Sequence, residues 1–361
     1  MALHEFKCPN CGGGIQFDPN TQEMTCPYCD TVMDVSAMQS MEEELAQNQA
    51  PESIDWGYAG SDWAQGEQQG MVVYSCKSCG GEIIGDETLG ATSCPFCDNP
   101  VVMTSKFSGT LRPDLVIPFK LDKNTALESL QKHYLGKRLL PVAFKDTNHL
   151  EEVKGVYVPF WLFDADADAH IVYKATKIRS WSDRDYNYTE TSVYRVMRDG
   201  SIGFNQIPVD GSKAVNDTLM ESIEPFSMPE AVDFNTAYLA GYFANKYDVD
   251  ANESITRANE RVKNSTESAF ARTVTGYEMV EPESTNIRLK NGGVQYALLP
   301  VWFLSTKWQD RSFVFAMNGQ TGKFTGNLPL DKGLYFTWLI KIFGVSAVVL
   351  LIITQIILGL L

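Results

Sequence analysis

Every thiol of the chain belongs to one of four Cys-x-x-Cys pairs: Cys8/Cys11, Cys26/Cys29, Cys76/Cys79 and Cys94/Cys97. Two residues between cysteines fold into a tight turn that aims both sulfurs at one point and leaves backbone N–H groups free to donate to them. Two such knuckles form a tetrahedral four-cysteine cage for a borderline-soft d10 cation. Fourteen residues separate the inner cysteines in each half, enough for two short strands and a turn. The glycines after Cys11 and Cys79 permit the backbone conformation that closes the knuckle. The expectation is two structural zinc ions, one held by Cys8, Cys11, Cys26 and Cys29, the other by Cys76, Cys79, Cys94 and Cys97. Rubredoxin-type iron or an iron–sulfur cluster is the competing use of the same ligands. A thioredoxin-like redox role lacks a βαβ pattern around any pair.

The two halves superpose at a constant offset of 68 residues: Gly12-Gly13 on Gly80-Gly81, Ile15 on Ile83, Pro27-Tyr28 on Pro95-Phe96, Asp30 on Asp98. This is an internal duplication, predicting ribbons over residues 1–36 and 71–108. Residues 1–36 contain one Lys against five Asp/Glu, and 71–107 two Lys against four. Neither ribbon offers a phosphate-binding face, so each is read as a staple or a protein contact. Ribbons this small bury too little apolar area to fold without the metal.

The same sign runs through the whole chain. Its 361 residues carry a formal net charge of −15, with 44% hydrophobic and 21% charged residues. That excludes a wholly disordered chain and sets it against polyanions overall. Residues 37–70 read as an acidic, solvated linker with a short helix near Glu42–Ala46. Trp56, Tyr58 and Trp63 leave open that part of it docks on a neighbour.

Residues 109–330 read as a mixed α+β domain. Helical periodicity covers Asn124–Leu135, Thr236–Tyr247 and Asn252–Thr273; strand signals cover Val156–Phe163, Ile171–Tyr173, Ser192–Met197, Leu298–Leu304 and Phe313–Met317. Asn318–Gly322 reads as a hairpin turn. A shorter repeat, at offset 141, sets Pro159-Phe160-Trp161-Leu162-Phe163 against Pro300-Val301-Trp302-Phe303-Leu304 and suggests two similar β-rich units.

Little in this domain carries chemistry. Asp164, Asp166, Asp168 and His170 alternate with alanines, so on a strand they share one face; that is either a hard-cation site or, as favoured here, a solvated face over small packed residues. His133 falls on a predicted helix and reads as a surface residue. Gly319-x-x-Gly322-Lys323 lacks the spacing of a phosphate loop. There is no Gly-x-Ser-x-Gly elbow, and no cysteine is left over as a nucleophile. An enzyme is therefore not expected.

The N-terminus shows no basic start followed by an apolar run, so no secretory signal is expected. Ile342–Leu361 holds no charged residue, and twenty helical residues span roughly 30 Å, the thickness of a bilayer's hydrocarbon core. With Tyr335 and Trp338 as interfacial aromatics, residues 334–361 read as a single-pass tail anchor. Lys323, Lys332 and Lys341 on the near side place the preceding chain in the cytosol, a reducing compartment that disfavours disulfides.

The ribbon motifs (Cys-Pro-Asn-Cys-Gly-Gly, Cys-Pro-Tyr-Cys, Cys-Lys-Ser-Cys-Gly-Gly, Cys-Pro-Phe-Cys) are joined by Ile207-Pro208-Val209-Asp210-Gly211-Ser212, Ile223-Glu224-Pro225-Phe226, Tyr238-Leu239-Ala240-Gly241-Tyr242, Leu299-Pro300-Val301-Trp302 and Ala316–Lys323. Together these resemble bacterial zinc-ribbon membrane proteins of the YdjG kind, over nearly the whole chain. The resemblance implies a membrane-anchored scaffold for phage-shock-A-like coiled-coil and virion-core or flotillin-like proteins in envelope stress. Such sequences are sometimes labelled primosomal-helicase-like, but this chain has no Walker A loop. The alternatives are a membrane-tethered nucleic-acid binder and a metalloenzyme on the Asp164–His170 face.

Overall fold

Three short strands, β1 (Gln16–Asp18), β2 (Glu23–Thr25) and β3 (Val32–Met33), make an antiparallel sheet in the order β1-β2-β3. Its nucleus is small. Cys8, Ile15, Met24 and Cys26 are buried, with Cys29, Met33 and Val35 packed on them. So modest an apolar cluster does not offset the entropy of ordering the chain around it.

The computed structural model describes residues 8, 14–19, 21–36, 54–86, 93–106, 110–141, 153–309 and 311–360. Cys11, the glycines after it and the short helix expected near Glu42–Ala46 lie outside these residues. After β3 come β4 (Met71–Ser75), β5 (Glu82–Asp86), β6 (Val102–Lys106), β7 (Leu115–Val116), α1 (Lys123–Tyr134), β8 (Lys154–Ser182) and β9 (Asn187–Asp210). Then follow α2 (Asp217–Ile223), β10 (Val232–Asp233), β11 (Phe243–Asn245), α3 (Ala251–Ala271), β12 (Met279–Trp308), β13 (Arg311–Asn318), β14 (Phe324–Gly326) and α4 (Lys332–Leu360). The chain divides into two units. One comprises Met1–Asp55, Ala165–Phe204 and Glu260–Gly292; the other comprises Trp56–Asp164, Asn205–Asn259 and Gly293–Leu361.

In the second unit the strand order is β10-β7-β12-β8-β11-β5-β4-β6, with β13 beside β12 and β14 beside β13. The core on this sheet holds Val156, Val158, Phe160 and Leu162 of β8 with Leu299, Val301 and Phe303 of β12. Val72, Tyr74, Cys76, Ile83, Cys94 and Phe96 of the second ribbon belong to the same cluster. A neighbouring cluster packs Ala126 and Leu130 of α1 against Trp302, Leu304, Phe315 and Met317. Helix α1 starts at Asp122, whose side chain accepts the Thr125 N–H at 2.9 Å, and Asp250 caps α3 through the Glu253 N–H at 2.8 Å.

The offset-141 similarity has a structural counterpart. Pro159 O accepts the Gly211 N–H and Pro300 O accepts the Gly319 N–H, each at 2.8 Å. The indole N–H of Trp161 donates to Val249 O and that of Trp302 to Leu121 O, each at 2.9 Å. Two strands of one sheet thus repeat a Pro-x-Trp device whose partner is a glycine that follows an Asp or an Asn.

Two sequence expectations are corrected. Residues 236–247 are not a helix: a 3-10 turn at Thr236–Leu239 is followed by Gly241 at φ +83° and then β11. The left-handed glycine stops the helical turn. Phe243–Asn245 then pairs with β8 in parallel and β5 antiparallel, so sheet pairing overrides the helical period. Residues 56–70 do not behave as a solvated linker. Trp56 is buried edge-on against Phe163 at 5.1 Å, Trp63 donates to Thr110 O at 2.9 Å, and Glu67 pairs with Arg112 at 3.1 Å. Tyr58 is the exposed member of the three aromatics.

In the first unit, Ala165, Ala167, Ala169, Ile171 and Tyr173 on β8 are buried, as are Val262, Thr266 and Phe270 on α3. The short windows Ile171–Tyr173 and Ser192–Met197 lie within the much longer β8 and β9, which pair with each other.

Helix α4 starts at Asp331, whose carboxylate accepts the Gly333 and Leu334 N–H groups at 2.8 and 3.0 Å. Its stretch Lys332–Gly359 has a mean hydropathy of 2.5 and buries none of its most apolar window. By length and composition it can cross a bilayer.

Candidate metal centres

In the second ribbon, β4 delivers Cys76 and the turn after it delivers Cys79. Cys76 N donates to Gly81 O at 3.0 Å and Gly80 N to Cys76 O at 2.9 Å, with Gly80 at φ +77°. The other knuckle follows the same plan. Cys94 N donates to Asn99 O at 2.8 Å and Asp98 N to Cys94 O at 3.0 Å, with Asp98 at φ +57°. The first ribbon repeats it: Cys26 N to Thr31 O at 2.9 Å, Asp30 N to Cys26 O at 3.0 Å, Asp30 at φ +54°.

These turns bring the sulfurs together. The Sγ atoms of Cys76, Cys79, Cys94 and Cys97 all lie within 4.8 Å of one another, as do those of Cys8, Cys26 and Cys29. Cys76 to Cys97 is 3.5 Å, and Cys79 to Cys94 and Cys8 to Cys29 are 3.6 Å. Sulfurs bonded at about 2.3 Å to one tetrahedral ion stand about 3.8 Å apart, whereas a disulfide requires about 2.05 Å. The donor set and its spacing therefore fit a divalent ion such as zinc. Cys8, Cys26 and Cys29 supply three ligands of the first centre; its fourth sequence candidate, Cys11, lies outside the described residues.

Polar neighbours hold the sulfurs in place. The Phe96 N–H donates to Cys94 Sγ and the Asn99 side-chain amide to Cys97 Sγ, each at 3.4 Å, and Thr31 Oγ1 lies 3.0 Å from Cys29 Sγ. Cys79 is pulled down to about 5, chiefly by its hydrogen bond with Cys94. That bond, with burial, pushes Cys94 up. Four crowded sulfurs cannot all ionise alone; a cation that takes them all as thiolates removes the conflict.

The other sequence candidates do not converge. Asp164 accepts the Gln206 N–H at 2.6 Å, Asp166 accepts from Asn291 at 2.7 Å, Asp168 pairs with Lys290, and His170 with Asp199. Each polar group on that face has its own partner, and among the described residues the only groups clustered for metal binding are the two cysteine sets. His133 is half-buried beside Phe324, ring centres 5.0 Å apart, and burial lowers its basicity. Asn318–Gly322 is a side-chain-closed turn: Asn318 Oδ1 accepts the Gln320 and Thr321 N–H groups, each at 2.9 Å, and strand β14 follows.

One cluster had no local signal in the sequence. Arg257 on α3 bridges Asp210 at 2.9 Å, Asp217 at 3.0 Å and Glu221 at 2.7 Å. Asp210 is buried, and burial pushes it up to about 7 against the pull of Arg257. Only its place in the Ile207–Ser212 motif marked it.

A protein of Bacillus subtilis (strain 168), described as uncharacterized protein YdjG, is 32% identical to this chain over 341 residues, covering 94% of each. The chain belongs to the YdjG family. No family model matches it, and no solved structure matches it. The YdjG relationship covers 94% of the chain; the metal reading rests on the sulfur geometry, since the relative's description says nothing of metals.

Proposed function

We propose that this chain is a membrane-anchored zinc protein, not an enzyme, whose cytosolic part gathers proteins at the bilayer. The reading takes the partners to be phage-shock-A-like coiled-coil and virion-core or flotillin-like proteins acting in envelope stress. The observation that carries it is the Cys76/Cys79/Cys94/Cys97 cage in the same chain as helix α4, whose most apolar window is unburied. A closed four-sulfur cage suits a structural ion, because catalytic zinc keeps a position open for water or substrate. The acidic surface of both ribbons favours protein partners over nucleic acid.

The test is elemental analysis, flotation and crosslinking on the full chain. About two zinc ions per chain, carbonate-resistant flotation with vesicles, and coiled-coil or flotillin-like proteins in a crosslinked pulldown from native membranes are the expected results. Iron in place of zinc, or a chain that stays in the soluble fraction, overturns the corresponding part. Partner recovery that disappears after nuclease treatment shifts the reading to a nucleic-acid binder.

A further inference from the structure

The loop that closes α1 is held against the root of α4. The Leu135 N–H donates to Gln131 O and Lys132 O, each at 3.2 Å, and Gly136 at φ +75° then turns the chain. Asp331, which caps α4, donates its own N–H to Leu139 O at 2.9 Å. The Arg138 guanidinium lies over the Trp338 ring at 4.8 Å, and Lys341 Nζ lies 5.9 Å from the same ring. One indole thus carries a cation from each of the two elements.

The corner is basic. Residues 129–141 carry Lys132, Lys137 and Arg138, and residues 332–361 carry Lys332 and Lys341, with no Asp or Glu in either stretch. Lys132, Lys137 and Arg138 are exposed, and none of them pairs with a carboxylate among the described residues. The flanking acids are Glu128 and Asp331, and Asp331 already accepts the Gly333 and Leu334 N–H groups. Leu135 and Leu330, next to these contacts in the chain, are 73% and 51% exposed.

Depth selects the occupant. Residues 142–152, with one Lys and three Asp/Glu, lie outside the described residues, so net charge alone does not decide it. The uncharged stretch of α4 begins at Ile342, four residues or about 6 Å beyond Trp338. With that stretch in hydrocarbon, Trp338 and the cations on it stand in the headgroup layer, where tryptophan and long cationic side chains are favoured. We infer that this corner docks on anionic phospholipid headgroups, with Lys137, Arg138 and Lys341 on the phosphates and Leu135 at the acyl boundary. The inference rests on the reading that α4 spans a bilayer. It adds a second, charge-dependent membrane contact made by the folded domain.

The test uses the full chain, wild type and Leu135→Trp, reconstituted into phosphatidylcholine vesicles with or without phosphatidylglycerol and doped with lipid brominated on the acyl chain. The difference between the two proteins isolates the added indole from the seven native ones. Quenching of that indole that is stronger with phosphatidylglycerol and fades in high salt supports the docking. So does a loss of the docked-to-undocked ratio on the order of fivefold for each of Lys137→Gln and Arg138→Gln, with Arg138→Lys close to the parent. Zinc content and circular dichroism confirm that each variant is folded. Equal quenching with and without phosphatidylglycerol, or none with either, overturns it. Release of the corner by inorganic phosphate, and not by chloride of equal ionic strength, overturns it in favour of a free-phosphate site. Carbonate-resistant flotation of the same vesicles reports α4 separately. A chain that floats without quenching at position 135 overturns the docking alone, and one that does not float overturns the anchor and the docking with it.

Discussion

The two ribbons use the same residues for the same turns, yet they are built into the molecule in opposite ways. Cys26-to-Asp30 and Cys94-to-Asp98 close with matching hydrogen bonds and a left-handed aspartate. Around Cys26 there is a three-stranded sheet and a small buried cluster. Around Cys94 the strands join the large sheet: β5 pairs with β11, Lys246 bonds Glu82 at 2.7 Å, and Cys76 and Cys94 lie in the main core. The position pair Tyr28/Phe96 shows the split most sharply. Tyr28 is 76% exposed, while Phe96 is 4% exposed and meets Phe303 at 5.4 Å. A duplicated cysteine module can therefore keep its turn geometry while one copy becomes a structural part of a larger domain.

The largest expected effect tests whether metal binding and domain stability are coupled in one copy alone. A structural zinc site contributes on the order of 10 kcal/mol, comparable to the whole stability of a typical domain. Cys94→Ser should abolish the main cooperative unfolding transition in a thermal melt. Cys26→Ser should cost one zinc per chain by elemental analysis and move that transition by less than about 2 °C. If both variants melt alike, the distinction fails.

Next in size is the aromatic pair. Phe96→Ala leaves a core cavity and should lower stability by about 3–5 kcal/mol, read by denaturant titration. Tyr28→Ala, at an exposed site, should stay within about 0.5 kcal/mol.

A smaller effect follows acidity. Burial raises Asp210 from the usual carboxylate range to about 7, so the folded chain holds a proton that the unfolded chain releases. That contribution is complete below the unfolded carboxylate range and is lost as pH rises through about 7. The main transition should weaken over this window, and Asp210→Asn should flatten the dependence, while zinc retention by the first ribbon should not follow it.

The smallest test addresses what the copies share. Asp30→Gly and Asp98→Gly relieve the same left-handed backbone, and each should change the stability of its own ribbon by no more than about 1 kcal/mol, with the same sign. Opposite signs would show that the turns are equivalent only in outline.

The convergence of Cys76, Cys79, Cys94 and Cys97, and of Cys8, Cys26 and Cys29, was legible because Cys-x-x-Cys is a local signal: two residues dictate the turn and the turn aims the sulfurs. Helices α1 and α3 were legible for a similar reason, since their periodicity agrees with their environment. The merging of the second ribbon with the sheet was not read, although Val72-Val73-Tyr74 gave a clue. An unbroken apolar run suits a strand covered on both faces, and all three residues are buried. Thr236–Tyr247 misled because its helical spacing is local, whereas its strand partners, Ile83 and Val156, are distant in the chain. The Arg257 cluster was invisible for the same reason: Asp210 lies 47 residues from Arg257, and no short-range pattern encodes their meeting.

The bond between Glu82 and Lys246 joins residues 164 positions apart, which has a consequence for biosynthesis. At typical translation rates roughly ten to thirty seconds separate the two. During that interval the thiols of the second cage stand on a ribbon whose sheet neighbours do not yet exist. The first ribbon has no such delay, because its strands and described ligands are complete within a few dozen residues. The two cysteine sets thus differ in how much later chain each needs before its surroundings are complete.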